Sequence, residues 1–282
     1  MKKLFFACLM FSASVFAQSN TEVYLYDLKK DKGTFSLGDG KNISNNPGYD
    51  SQPHFYSKKV LVFSSTRNNQ TDIAAYTIKT GEINFINSTP NGGEYSPQRI
   101  PKSKDISAVR LDTDGLQRFY RYKYKTGENT EIIPDLKVAY PMWYTKNTAV
   151  TVVIVGNSLD LIISDLASKE NKTIQKKVGR SVHKIPKTKL VSYISKAKDQ
   201  WEIRSLNPKT GETKKIINTL GKTEDICWLP NGTILLAKGN SIMSYNPNND
   251  KDWTVFHTFN SHKNISRIIV NSKGTQLALV SD

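Results

Sequence analysis

Apolar residues in this chain come in short runs broken by polar turns. No window sustains the i, i+3, i+4 spacing of an amphipathic helix. One set of runs, "DIAAYTIK", "RFYRYKYK", "LDLIISDLA" and "WEIRSLNPK", precedes a turn built on Thr80-Gly81-Glu82, Thr126-Gly127-Glu128, Ser168-Lys169-Glu170 or Thr210-Gly211-Glu212. Another strand follows each turn: "INFINST", "NTEIIPD", "NKTIQKK" and "TKKIINT". Glycine in such a turn supplies the positive φ that a tight reversal needs. The middle residues of the four turns lie 46, 42 and 42 positions apart.

Two more strands stand ahead of each such pair. The second of them is an apolar run: "KVLVFSS", "DISAVRL", "AVTVVIV", "KLVSYIS", "TILLAKG" and "QLALVSD". The first is short: "QPHFY", "SPQRI", "YPMWY", "VHKIP", "ICWLP" and "SRIIV". Aligning these openers puts Pro53, Pro97, Pro141, Val182, Ile226 and Arg267 in equivalent places, at steps of 44, 44, 41, 44 and 41. Four strands per unit of this length is the mark of propeller blades. Five complete units start near Asp50, Glu94, Ala139, Ser181 and Glu224. The C-terminal "NISRIIVNSKGTQLALVSD" supplies the first two strands of a sixth, and the N-terminal "TEVYLYDLKKDKGTFSLG" the last two. The expectation is an all-β, six-bladed propeller of four-stranded antiparallel blades. Its ring is closed by strands from both termini, which removes an open edge.

The first residues change the picture of where this ring resides. Lys2 and Lys3, the apolar Leu4–Phe11 and the small-residue pattern ending at Ala17 read as a secretory signal peptide over 1–17. A lipoprotein signal using Cys8 is the rival reading. Residues 18–282 then form one propeller domain, monomeric and periplasmic or secreted, with no transmembrane segment. Only Cys227 remains after cleavage, so no internal disulfide can form, and its apolar neighbours make it a buried, inert thiol. The formal charge is +15, or +13 without Lys2 and Lys3. The excess reads as scattered ("SKKV", "YRYKYK", "QKKVGR", "ETKKI", "SHKNISR"), a diffuse basic surface that favours anionic partners in general. Nucleic acid is not expected for an exported chain.

The first complete unit resembles the repeat of the TolB-type propellers, a branch of the WD-like repeats. It carries Ser64, Arg67, Asp72-Ile73, Tyr76 and Thr80-Gly81-Glu82, and the next unit opens Glu94-Tyr95-Ser96-Pro97. The resemblance covers the propeller. It implies the fold derived above and a face around the channel that receives a partner protein.

Catalytic signatures are missing: there is no Gly-x-Ser-x-Gly, His-Glu-x-x-His or Gly-x-Gly-x-x-Gly, and no metal-spaced Cys/His cluster. No cofactor or metal is expected. Arg67 and Asp72 read as a turn-stabilising pair, and the four tryptophans as packing between blades. The candidate site is the ring of segments leading into the innermost strands: Asp50, Gln52, Glu94, Tyr95, Tyr140, His183, Glu224, Asp225 and Arg267. Loops that converge on a channel mouth are where propellers build ligand and partner sites. The expected function is an exported, non-catalytic scaffold that binds a protein partner of the cell envelope. The alternative is a lyase-like enzyme acting on an anionic extracellular polysaccharide, with His54 and His183 facing the channel.

Overall fold

The computed structural model describes residues 20–282, so the signal peptide and its cleavage near Ala17 lie outside the described residues. The described residues form 24 strands and no helix. The strands pair into six four-stranded antiparallel sheets. Blade 1 is β3 (Asp50–Phe55), β4 (Val60–Arg67), β5 (Gln70–Thr77) and β6 (Ile83–Phe85). Blade 2 runs through β7 (Gly92–Arg99), β8 (Ile106–Asp112), β9 (Gln117–Tyr122) and β10 (Asn129–Ile133). Blade 3 is β11 (Val138–Trp143) to β14 (Glu170–Gln175), and blade 4 is β15 (Val178–Lys184) to β18 (Thr213–Asn218). Blade 5 is β19 (Ile226–Trp228) to β22 (Thr254–Thr258).

Blade 6 is the closure. Its order is β2 (Thr34–Asn42), β1 (Glu22–Asp31), β24 (Gln276–Ser281) and β23 (Ile265–Val270). Val23 stands opposite Val280, Tyr24 opposite Leu279 and Leu25 opposite Ala278. The two ends of the described chain thus share one sheet, as the repeat count predicts.

The apolar second strands are continuous runs because neighbouring blades cover both of their faces. β4 is buried over six consecutive residues, Leu61 to Thr66. The core is therefore a circle of packed interfaces between blades. Leu61, Phe63 and Tyr76 of blade 1 pack on Val23, Leu25 and Val280 of blade 6. On its other side, Val62, Ile73 and Ala75 pack on Ile106, Ala108 and Tyr122 of blade 2. Two tryptophans tie blades together by hydrogen bonds as well as area. Trp143 donates to Ser107 Oγ (2.7 Å) and Trp228 to Ser192 Oγ (2.8 Å), each reaching back one blade. Cys227 is buried in the interface of blades 5 and 6, and burial pushes its thiol up.

The turns follow the repeat chemistry. Asn68 and Asn69 both take positive φ between β4 and β5, the backbone of a two-residue hairpin. Gly81, Gly127 and Gly211 take φ of 76°, 70° and 82°, and Lys169 takes 62° where the repeat has lost its glycine. At Gly127 a Cβ would also meet the Ile86 carbonyl oxygen at 2.6 Å. Gly127→Ala is expected to cost about 2 kcal/mol, lowering the thermal midpoint by about 5 °C. Gly156→Ala has open space around it and should cost only the backbone strain, about 1 kcal/mol. Equal effects of the two substitutions in a thermal melt would contradict this packing.

Candidate functional site

Each innermost strand runs from one end of the channel to the other. The segments that connect one blade to the next (D–A) and the β-turns between second and third strands (B–C) share one face. The A–B loops and C–D turns share the opposite face. Just inside the D–A mouth, most innermost strands carry a bulge: between Ser51 and His54, Tyr95 and Gln98, Val138 and Tyr140, Val178 and Val182, and Ile265 and Arg267. Gln52 and Ser96, at equivalent places, take positive φ of 57° and 52° there. A bulge turns the following side chains toward the axis.

The channel is a cavity of about 370 Å³. Of the predicted residues, Gln52, Tyr140, His183, Asp225 and Arg267 line it, joined by His54, Gln98 and Arg180. Asp225 sits between two guanidinium groups. Arg180 donates to both of its carboxylate oxygens, through Nε at 3.1 Å, and Arg267 Nη1 lies 3.2 Å away. Arg180 also donates to the Ser266 carbonyl at 3.1 Å. Three successive blades are thereby joined across the wall. Glu224 stands beside them at the rim. Lys196 Nζ at 2.9 Å and the Arg180 backbone N–H at 3.0 Å outweigh the effect of burial and hold its pKa below the usual carboxylate range. Elsewhere around the wall, Gln52 Oε1 accepts from the Ser96 backbone N–H (2.7 Å), and Gln98 donates to the Pro141 carbonyl (2.5 Å).

Tyr95 does not line the cavity but stands at its mouth. Its ring meets Tyr49 edge-on, centroids 6.0 Å apart. The Tyr49 hydroxyl also lies within electrostatic reach of Tyr140 and Arg267. The D–A mouth is thus rimmed by three half-buried tyrosines beside two arginines.

Asp50 and Glu94 are not brought to the channel wall. Both are fully buried, ahead of the bulge in their strands. Glu94 accepts from Tyr122 Oη (2.8 Å) and Asn87 Nδ2 (2.7 Å). Asn87 Nδ2 also reaches Asp72 Oδ1 (2.9 Å), which accepts from the Thr89 backbone N–H (3.2 Å), and Arg67 closes the outer end. This chain of polar contacts fastens blade 1 to blade 2. Asp50 accepts from Asn46 Nδ2 (3.2 Å) where the closure segment meets blade 1.

Burial, with Glu22 nearby adding to it, pushes the Asp50 carboxyl up to about 6. A carboxyl whose folded pKa is raised contributes stability below its unfolded value, near 4, and that stability is lost as pH rises through 6. Asp50→Asn is expected to stabilise the fold by about 2–3 kcal/mol at pH 7, with the gain fading as pH falls below 6. Urea titrations at both pH values check this; a loss of stability at pH 7 would contradict it. His54 and His183 behave oppositely. Burial pushes each down to about 4, with His183 adding to the effect on His54, so both stand neutral in the channel near neutral pH.

Lys196, Gln98 and Tyr49 join the site without standing in the predicted ring, whereas Arg180 and His54 join it from segments expected at the channel. Lys196 arrives from a B–C turn, and no spacing rule marks it.

No protein-family model matches the chain, and no curated protein matches it. Solved structures do. A protein of Agrobacterium tumefaciens described as a TolB superposes with a TM-score of 0.72 at 10% identity, over 93% of this chain and 98% of that one. TolB from Acinetobacter baumannii gives 0.59 at 13% identity, with 93% of this chain covering 64% of that one. An oligogalacturonate lyase in complex with manganese gives 0.60 at 12% identity, over 88% and 82%. At such identities the likeness is one of fold alone, the propeller that this chain shares with these structures.

Proposed function

We propose that this protein is an exported, non-catalytic scaffold that binds a protein partner of the cell envelope at the D–A mouth of its channel. One observation carries the reading: Tyr49, Tyr95 and Tyr140 gather beside Arg180 and Arg267 at a half-open mouth. Tyrosine and arginine are the residues enriched at the energetic centres of protein interfaces. A ring of blades presents them on a rigid frame, which reduces the ordering cost of binding. The TolB-type fold agrees with this use, and no helix among the described residues is long and apolar enough to cross a membrane. Immobilised protein should capture a discrete partner from a detergent-solubilised envelope extract. The triple variant Tyr49→Ala, Tyr95→Ala, Tyr140→Ala should lose it while remaining folded. Capture that survives in the folded triple variant removes this mouth as the binding site.

A second reading rests on the two neutral histidines. His54 and His183 share a cavity with Arg180 and Arg267, and a neutral imidazole beside a bound anion can act as a general base. Turnover of a polyuronate, lost in His183→Ala, would favour a lyase-like enzyme over the scaffold.

A further inference from the structure

The basic residues that lie scattered along the sequence are not scattered in space. The A–B loops and C–D turns of one face hold fifteen Lys against six Asp and Glu, whereas the connections of the opposite face hold seven against six. The asymmetry is sharpest in the A–B loops around the channel axis. Lys58 and Lys59 stand in blade 1, Lys102 and Lys104 in blade 2, Lys187 and Lys189 in blade 4. Single lysines, Lys146 and Lys273, stand in blades 3 and 6. All eight are exposed, and none forms an ion pair among the described residues. The one carboxylate in these loops, Asp105, is already bound by Arg121.

The loops that carry the lysines are also held in place. Tyr56 of blade 1 donates to the Lys104 carbonyl in blade 2 (2.7 Å), and Tyr144 of blade 3 donates to the Lys189 carbonyl in blade 4 (3.1 Å). The Tyr56 ring stacks on Tyr124, centroids 4.8 Å apart. Between blades 6 and 1 a groove joins Lys58, Lys59, Arg99 and Lys273 with no acidic residue in its wall.

We propose that the A–B loop face docks onto an anionic lipid membrane surface, leaving the D–A mouth turned away from it. The distribution selects the partner. A linear polyanion follows one groove and would meet one arc of this ring. A plane of anionic headgroups meets lysines from five blades at once. Unpaired lysines near such a surface each add to attraction, and the effect decays within a Debye length. Lysine suits the task, being a flexible and hydrated point charge. The inference does not depend on the partner reading, since it concerns the other face.

The test uses the mature chain and sedimentation with large vesicles at about 0.1 M salt. Vesicles with about 30 mol% phosphatidylglycerol should bind it, and pure phosphatidylcholine vesicles should not. Replacing Lys58, Lys59, Lys187 and Lys189 by Gln should weaken binding about tenfold or more. Replacing Lys176, Lys177, Lys222 and Lys263 by Gln on the opposite face removes the same charge and should leave most of the binding. Circular dichroism confirms that both variants are folded. The proposal is overturned if the wild type ignores anionic vesicles, or if both variants lose binding equally. It is also overturned if the first variant keeps vesicle binding but loses a soluble polyuronate, which would make the face a glycan site.

Discussion

Deleting residues 20–42 is expected to abolish the folded monomer. That segment supplies β1 and β2, the outer half of the closing blade. Without it β24 keeps only β23, and its row of backbone groups opposite Glu22 to Asp27 becomes a bare edge. Half of the interface between blades 6 and 1 disappears with Val23 and Leu25, and Leu28 and Phe35 leave the interface with blade 5. Exposed apolar surface beside an open strand edge leads to association between chains. The truncated chain should elute as aggregate in size-exclusion chromatography and show no cooperative melt. A monomer melting within a few degrees of the full chain would sink the closure argument. A point substitution reports on the same contact: Val280→Asp places an unpaired carboxylate at a fully buried position. It should cost about 4 kcal/mol or more and lower the midpoint by about 10 °C.

The second large effect belongs to the channel wall. Asp225→Ala leaves Arg180 and Arg267 facing each other without the carboxylate that separates them. Removing one partner of a buried ion pair typically costs about 3–5 kcal/mol. Both arginines keep some contact with the channel, with 27% and 18% of their side-chain surface exposed, so about 2–4 kcal/mol is expected here. The double variant Arg180→Ala, Asp225→Ala should be less unstable than the sum of the two single losses, because the groups act as a unit. Denaturant titration of the three variants gives the coupling directly. Additive losses would mean that the pair is incidental to the wall.

These two predictions mark what could be read from the chain. The blades were legible because each strand type recurs at a near-constant step, and because Thr80-Gly81-Glu82 and its copies need the same backbone turn in blades 1 to 4. The closure followed from counting: two strands were missing at one end and two were spare at the other. The site was legible only in part. Gln52, Tyr140, His183 and Arg267 reach the channel because they lie at or beyond the point where the inner strand bulges, and Asp225 reaches it from the connection just ahead of β19, a strand without a bulge. Asp50 and Glu94 come just before it and point into the seams between blades. A bulge shifts side-chain phase by one residue, and no apolar alternation in these short openers reveals it. Arg180 pairs with a residue 45 positions away, so its role depends on which blades are neighbours. The lysine face was hidden for the same reason. Its members lie in A–B loops about 40 residues apart, and only the ring brings them to one side.

The central claim is that a protein partner is held at the D–A mouth. A photoreactive phenylalanine analogue placed at Tyr95 or Tyr140, and separately at Val255 on the outer strand of blade 5, tests it in intact cells. Val255 is 63% exposed and far from either channel mouth in the blade order, so it samples chance encounters. The prediction is one discrete protein adduct from the two mouth positions and none from Val255. An adduct of equal yield from Val255, or none from Tyr95 and Tyr140, would contradict it.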